Sequence, residues 1–316
     1  MSQLQYTVSI DPPHTHERLD NFLARQDALL SRSQAASWAR LGLVRVNGDP
    51  VKPAHKLRIG DQVEIDVPPP VPQNIVAAHA DFEIVFEDDH LIVVDKPQGL
   101  SVHPGPGHDD DTLLNGLCHL GIELSTVGLP LRPGVVHRID LGTSGLLVLA
   151  KKDEAHARLA KQFSDHSVER RYLALVWGKP KDRGGRIESE LARSPVNRKK
   201  FASVRSGGKN AVTHWEYLGG SENISLIALR LETGRTHQIR VHMTELGHPL
   251  LGDPMYGRKR IYKHSEELAA AVAALPDQAL HAETLGFVHP ATGEPMRFQS
   301  TPPKSFQEVR TLVTSA

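Results

Sequence analysis

The chain has 316 residues, enough for roughly two domains with separate cores. Apolar residues make up 39% and charged residues 23%, with 37 Lys and Arg balancing 37 Asp and Glu, so composition reads as an ordinary soluble globular protein and net charge argues neither for nor against a polyanionic partner. The lone Cys118 excludes an intrachain disulfide and a multi-cysteine metal site; no run approaches the roughly 18 apolar residues of a membrane span, and MSQLQYTVSIDPPHTHERLD has no secretion signal, so a cytoplasmic protein is expected.

In ERLDNFLARQDALL, Leu19, Phe22, Leu23 and Leu30 recur near helical spacing and predict an amphipathic helix. SRSQAASWARLGLV predicts a second, capped by Ser31 or Ser33 and ended by Gly42. VRVNGDPV holds the Asn47-Gly48 pair of a tight hairpin turn, and KLRIGDQVEIDV reads as extended segments around Gly60-Asp61. Arg32, Arg40, Arg45, Lys52, Lys56 and Arg58 give this unit a basic face. RLDxFL, SRSxA, VxVNG and KxxxGDxVEI, in this order, resemble the S4 RNA-binding domain, which implies recognition of structured RNA through shape and phosphate contacts. Four prolines in VPPPVPQN then mark a stiff linker. The boundaries read are 14–66 for the small domain, 67–80 for the linker and 81–316 for the large domain.

Beyond the linker, EIVFEDDHLIVVDK reads as two strands joined by an acidic turn. DTLLNGLCHL is a helix capped by Asp111 or Thr112, and GLLVLAKK is a buried strand. DEAHARLAKQF predicts a helix, RRYLALVWG and ISLIALRLETG predict strands, and THQIRVHMTELGHP a short helix. ALHAETLGFVHPATGEPMRFQS closes as two extended arms about a turn. The fold class is α+β: a mixed, largely antiparallel sheet with flanking helices.

Two polar knots interrupt apolar surroundings. VVHRIDLGTSGLLVLAKK places His137, Arg138, Asp140, Thr143 and Ser144 between buried runs, and a buried carboxylate needs a cation to stay ionised. In LETGRTHQIRVHM, Ile239, Met243 and Leu246 share one helical face, while His237 and Arg240 share another, free to reach into a cleft. Thr143 to Gly145 read as a turn whose hydroxyls bond backbone; GTSGL lacks the glycine register of a serine nucleophile. His137, His237, His242, His248, His281 and His289 lack metal-ligand spacing, and GPGHDD lacks a phosphate-loop pattern, so neither metal nor nucleotide cofactor is expected.

HRIDLGTSGLLVLAK, RRYLALV, LETGRTHQIRVHM and LHAETLGFVHP, in that order, resemble the RluA-type pseudouridine synthases, and the S4-like domain in front is similar to their ribosomal large-subunit branch. Ile139 stands where leucine is usual. The resemblance implies that Asp140 is the catalytic aspartate, that Tyr172 stacks on the uracil and shares in proton removal, and that Arg240 pairs with Asp140. Arg138 would fill the gap left by the extruded uridine, and Ile239 and Leu280 would wall the base pocket. His137 and Arg235 would support the loop or contact phosphate. No cofactor is implied, since the isomerisation only exchanges a C–N for a C–C bond; attack of Asp140 at C1′, attack at C6 and assistance to elimination stay open. ARSPVNRKKFASVRSGGKN, with Arg198, Lys199 and Lys200 and no acid, is the candidate RNA-facing loop. The partner implied is large-subunit ribosomal RNA, free or in a precursor particle, and the default state is a monomer. A non-catalytic assembly factor is disfavoured by the joint presence of Asp140, Tyr172 and Arg240; a glycoside hydrolase would need a second carboxylate.

Overall fold

The computed structural model describes residues 2–7, 17–26, 32–67, 75–105, 107–197, 199–257 and 265–314, and the chain divides into two units, Met1–Asn74 and Ile75–Ala316. The first contains β1 (Ser2–Thr7), α1 (Leu19–Gln26), α2 (Arg32–Arg40), β2 (Val44–Val46), β3 (Asp49–Pro50) and β4 (Gln62–Val67). Its strands are antiparallel in the order β1-β4-β2-β3. Leu19, Phe22 and Leu23 lie on one face of α1 and bury against Ala35 and Ala39 of α2 and Val44, Val63 and Ile65 of the sheet. Asn47 (φ 55°) and Gly48 (φ 85°) are both left-handed, as a two-residue hairpin loop requires. Strand β1 lies ahead of the residue-14 boundary read from the sequence. Leu30 and Ser31 lie outside the described residues. Arg32 bonds Asp20 at 3.3 Å and Arg45 pairs with Asp66, whereas Arg40, Lys52, Lys56 and Arg58 are exposed.

The second unit runs β5 (Glu83–Glu87), β6 (Leu91–Lys96), α3 (Leu113–His119), β7 (Ser144–Ala150), α4 (Asp153–Ser164), β8 (Glu169–Trp177), β9 (Gly184–Arg193), β10 (Phe201–Val204), β11 (Lys209–Gly220), β12 (Ile224–Leu231), α5 (Gln238–Glu245), α6 (Glu266–Ala273), β13 (Leu280–Val288), β14 (Pro295–Gln299) and α7 (Lys304–Thr314). One sheet has the order β10-β9-β11-β12-β8-β13-β7-β6-β5, with β14 on β13. Neighbours are antiparallel except β13 and β7, which run parallel through His281↔Ser144 and Ala282↔Gly145. The fold is α+β, with a largely antiparallel sheet.

Both faces of the sheet centre are covered, which is why β7 and β8 read as unbroken apolar runs. On β8, Leu173, Leu175 and Trp177 pack with Leu268 of α6 and Phe306 and Val309 of α7, while Tyr172, Ala174 and Val176 pack with Ile239 and Met243 of α5. On β7, Leu146 and Val148 meet Leu159 of α4, and Leu147 and Leu149 meet Leu113 and Leu117 of α3. Truncating one such leucine to alanine costs about 2–5 kcal/mol. Thr112 caps α3 by accepting from Asn115 N–H.

Two sequence expectations change. The basic run after Arg193 is a β-hairpin rather than a loop: β10 pairs with β9 from Phe201↔Arg193 to Val204↔Glu190, and Phe201 packs beside Tyr256. Residues 75–80, assigned to the linker, lie on the larger unit, where Ile75 is buried and Asn115 Nδ2 donates to Val76 O at 2.8 Å.

Candidate active site

Asp140 sits in a short turn just before β7, at the parallel junction with β13. Thr143 N–H donates to Asp140 O at 3.0 Å and closes the turn. Lys96, fully buried at the end of β6, holds it from below: Nζ donates to Leu141 O at 3.1 Å, and to Pro97 O and Leu100 O at 2.8 Å each. Burial pulls the Lys96 ammonium down to about 7, opposed by the charges of Asp140, Asp277 and Asp95. Gln98 Nε2 adds a bond to Gly142 O at 3.0 Å. Gly145 has φ 111°, and a Cβ there would stand 2.3 Å from Ala282 O, so only glycine lets β7 approach β13. Because the strands are close, the knot's hydroxyls find side-chain partners across the junction instead of the backbone partners expected. Ser144 Oγ lies 3.0 Å from His281 Nδ1, and Thr143 Oγ1 accepts from Gln278 Nε2 at 3.2 Å.

The second knot is pinned by Gln238. Its Oε1 accepts from Arg235 N–H at 3.0 Å and Thr233 Oγ1 at 2.8 Å, and its Nε2 donates to Val212 O and Thr213 Oγ1 at 2.9 Å each. His237 (φ 58°) precedes α5 in the left-handed region. Helix α5 is buried from Gln238 to Met243, not one-sided as its spacing predicts, and Leu246 is exposed. Arg240 is therefore an interior side chain. Its Nη1 donates to Asp140 Oδ2 at 3.1 Å, but its main partner is Asp253, reached in fork geometry by Nε at 2.8 Å and Nη2 at 2.9 Å. Asp253 Oδ1 also accepts from Met255 and Tyr256 N–H. Burial works against the Arg240 charge; the Asp253 bonds and charge, with Asp140 behind them, outweigh it and raise the guanidinium above its ordinary value. Burial would raise Asp253, and Arg240 overrides it, lowering its carboxyl.

Arg138, Asp140, Tyr172, Arg235, Ile239, Arg240 and Leu280 line one cavity. Tyr172 projects from β8 beside Ile239 and Leu280, and burial pushes its phenol up, with Asp140 adding to the shift and Arg170 opposing it. The phenol is protonated at neutral pH. Arg138 is exposed and donates Nη1 to His103 Nε2 at 3.1 Å. His137 does not line this cavity: its ring stacks on Phe163 at 4.4 Å and Nε2 accepts from Val148 N–H at 3.1 Å, a support for the loop. Lys199 and Lys200 are also outside it, although Lys200 Nζ lies 5.5 Å from the centre of the Tyr256 ring, which Arg240 also approaches at 5.2 Å. Arg198 lies outside the described residues.

Sequence reasoning missed Lys96, Asp253, Tyr256 and Arg170. A signal existed for one of them: a buried Arg240 needs more than one exposed-side carboxylate, and Asp253 lies between a glycine and a proline in LGDPMYG. Neither Asp253 nor Asp277 lines the cavity, so the second carboxylate of a glycoside hydrolase is not supplied there. Among the described residues, no three His, Cys, Asp or Glu side chains gather to hold a metal ion, and no helix is long and apolar enough to cross a membrane.

Residues 90–245 match the family described as RNA pseudouridylate synthase, and residues 17–63 match the S4 domain. The chain is 48% identical over 294 residues to the ribosomal large subunit pseudouridine synthase D of Zymomonas mobilis, covering 92% of each protein. It is 42% identical to the uncharacterized RNA pseudouridine synthase YlyB of Bacillus subtilis, over 98% of this chain and 97% of that one. The solved human RNA pseudouridylate synthase domain containing 1 shares the fold at a TM-score of 0.56 and 24% identity, over 71% of this chain and 84% of its own.

Proposed function

Because the chain belongs to the RNA pseudouridine synthases, isomerases that here carry an S4 domain in front, we propose that it converts specific uridines of large-subunit ribosomal RNA to pseudouridine, with Asp140 as the catalytic carboxylate. Relatives named for the large ribosomal subunit, at 48% and 41% identity over 92% of the chain, support that substrate. The observation that carries the reading is the Asp140 carboxylate, held 3.1 Å from Arg240 at a cavity walled by Tyr172, Ile239 and Leu280.

The reaction breaks N1–C1′, turns the uracil and joins C5 to C1′; C5 gives up its proton and N1 takes one up, so the change is a net isomerisation and nothing is oxidised. Asp140 attends the glycosidic bond. Arg240 fixes its rotamer and balances its charge in a site that is partly closed to water. Tyr172 offers a stacking face to the uracil, and since its phenol enters protonated, its part in C5 deprotonation requires handing its own proton to a neighbouring acceptor. Extruding the base costs a few kcal/mol of stacking, offset by Tyr172 and by Arg138 entering the vacated space. The exposed Arg40, Lys52, Lys56 and Arg58 of the S4 unit, and Lys199 on the β9–β10 hairpin, are assigned to RNA phosphates. The proposed working state is a monomer in the cytoplasm, acting on free RNA or a precursor particle.

The test is Asp140→Asn as the sole copy, with pseudouridines mapped across large-subunit ribosomal RNA. Loss of the same sites as in a deletion is expected; persistence of every site refutes the assignment.

A further inference from the structure

A second cavity adjoins the first and shares Arg138, Arg170, Gly234 and Arg235 with it; Arg132 is its fourth arginine, His103 also lines it, and no Asp or Glu among the described residues does. None of its four arginines meets a carboxylate among the described residues. Arg132 makes no side-chain hydrogen bond there, Arg138 donates to His103, and Arg235 Nε donates to Asn210 O at 3.1 Å. His103 Nδ1 lies 2.9 Å from Pro104 O, so Nδ1 carries the proton and Nε2 accepts from Arg138. The imidazole is thus a neutral prop that aims one of the guanidinium groups.

Arg170 is the most informative member. It is 7% exposed, its Nη2 donates to Leu231 O at 3.3 Å and Glu232 O at 2.8 Å, and its Nε has no hydrogen-bond partner among the described residues. The guanidinium lies 5.4 Å from the centre of the Phe163 ring. A Cβ on Gly234 would come within 2.9 Å of Arg170 Nη1, so the residue beside this group is the one that covers it least. Arg240, in the same unit, shows the opposite arrangement, with its Nε and Nη2 both taken by a carboxylate. A buried cation without a counter-charge is costly unless something supplies one. Burial and the Arg138 charge lower Arg132, and burial lowers Arg170, so both groups gain from an incoming anion.

We propose that this second cavity is a phosphodiester subsite: while the uracil occupies the first cavity and Arg138 enters the vacated stack, Arg132, Arg170 and Arg235 hold a backbone phosphate of the same extruded nucleotide. The shared wall of guanidiniums joins the two cavities as a nucleotide joins its base and phosphate. Planar, multi-donor guanidinium groups suit phosphate oxygens, and the acid-free lining leaves no internal competitor. This rests on the RNA-modifying reading above and adds where the strand is gripped.

The test uses the full chain, Arg132→Gln, Arg170→Gln and, as a control lining neither cavity, Lys181→Gln. Affinity for a large-subunit ribosomal RNA transcript is measured across a KCl series. Each of the two cavity substitutions is expected to weaken binding about tenfold and to reduce the slope of log K against log salt by about one, with the control unchanged. The unfolding temperature without RNA separates a structural arginine from a ligand-binding one. Arg170→Gln is expected to hold or raise it, because the uncompensated charge is gone. Inorganic phosphate, compared with chloride at equal ionic strength, is the second probe: an extra rise in the wild type that both variants lose shows that the cavity takes free phosphate too, and no extra rise confines it to RNA phosphate; both outcomes support the subsite only with the reduced slopes. Unchanged slopes in both variants overturn the proposal, as does a fall in Arg170→Gln unfolding temperature with no slope change. Reduced slopes without any pseudouridine formed would leave the subsite standing and remove the reaction; pseudouridine with unchanged slopes would do the reverse.

Discussion

The sharpest consequence concerns Asp253, which does not itself line the cavity but bonds Arg240, which does. Its side chain is fully buried and accepts four hydrogen bonds: two from Arg240, at 2.8 and 2.9 Å, and two from the N–H groups of Met255 and Tyr256, at 2.8 and 2.9 Å. Asp253→Ala leaves a 5% exposed guanidinium with a single bond to Asp140 and orphans both backbone donors. Removing one partner of a buried ion pair costs about 3–5 kcal/mol. For a unit of this size each kcal/mol is worth about 2–4 °C, so thermal unfolding is expected to fall by roughly 6–20 °C. Activity falls further than stability, because the released Arg240 is free to take Asp140 through more than one nitrogen and restrain it. A cycle with Arg240→Met and the double variant Arg240→Met/Asp253→Ala separates the two effects. The double variant is expected to be at least about 2 kcal/mol more stable than the sum of the singles predicts, yet just as inactive as Arg240→Met. Unfolding of Asp253→Ala within about 1 kcal/mol of the wild type, or additive singles, would refute the view that Asp253 neutralises Arg240.

Three further outcomes follow from the same geometry. His137 is neutral in the fold, since burial, with Arg170 nearby, lowers it from 6.5 to about 3. Its contribution to stability is complete above about pH 6.5 and is lost as pH falls toward 3, because the unfolded chain takes up the proton first; urea titrations of His137→Gln should show a slope flatter than the wild type by up to about 1.4 kcal/mol per pH unit between pH 6 and 4. Gly145→Ala forces a Cβ against the Ala282 backbone at a positive φ, and should cost more than about 2 kcal/mol by denaturant unfolding; a milder loss would mean that the β7–β13 junction can widen freely. Lys96→Met strips three carbonyls of their donor beside Asp140. Loss of a desolvated ammonium offsets part of the stability change, so kcat should fall at least about tenfold with Tm less affected, and a normal kcat would deny Lys96 its hold on the loop.

The elements that the sequence made legible are those whose burial is local: α1, α3, α4, β7 and β8 each carry their period or their apolar run within a dozen residues, and with them the α+β class. The site was legible only as two motifs. Their meeting depends on register, Tyr172 opposite Leu229 and Ala282 across β8, and no local period encodes a pairing between residues more than 50 positions apart. Helix α5 was misjudged for a related reason. Its spacing allows a polar side, but β10 and β11 also pack against it, so Arg240 had to find an acid from inside the fold and found Asp253, 13 residues on. The hairpin after Arg193 was hidden because its apolar content is little more than Phe201 and Val204. Charge logic nevertheless extends further than period logic here. A buried arginine demands a counter-charge; Arg240 has its own in the resting protein, and Arg170, along the same pocket wall, has none among the described residues. The two answer different needs: the first holds Asp140 in place in the resting protein, and the second is the group that the proposed phosphate would complete.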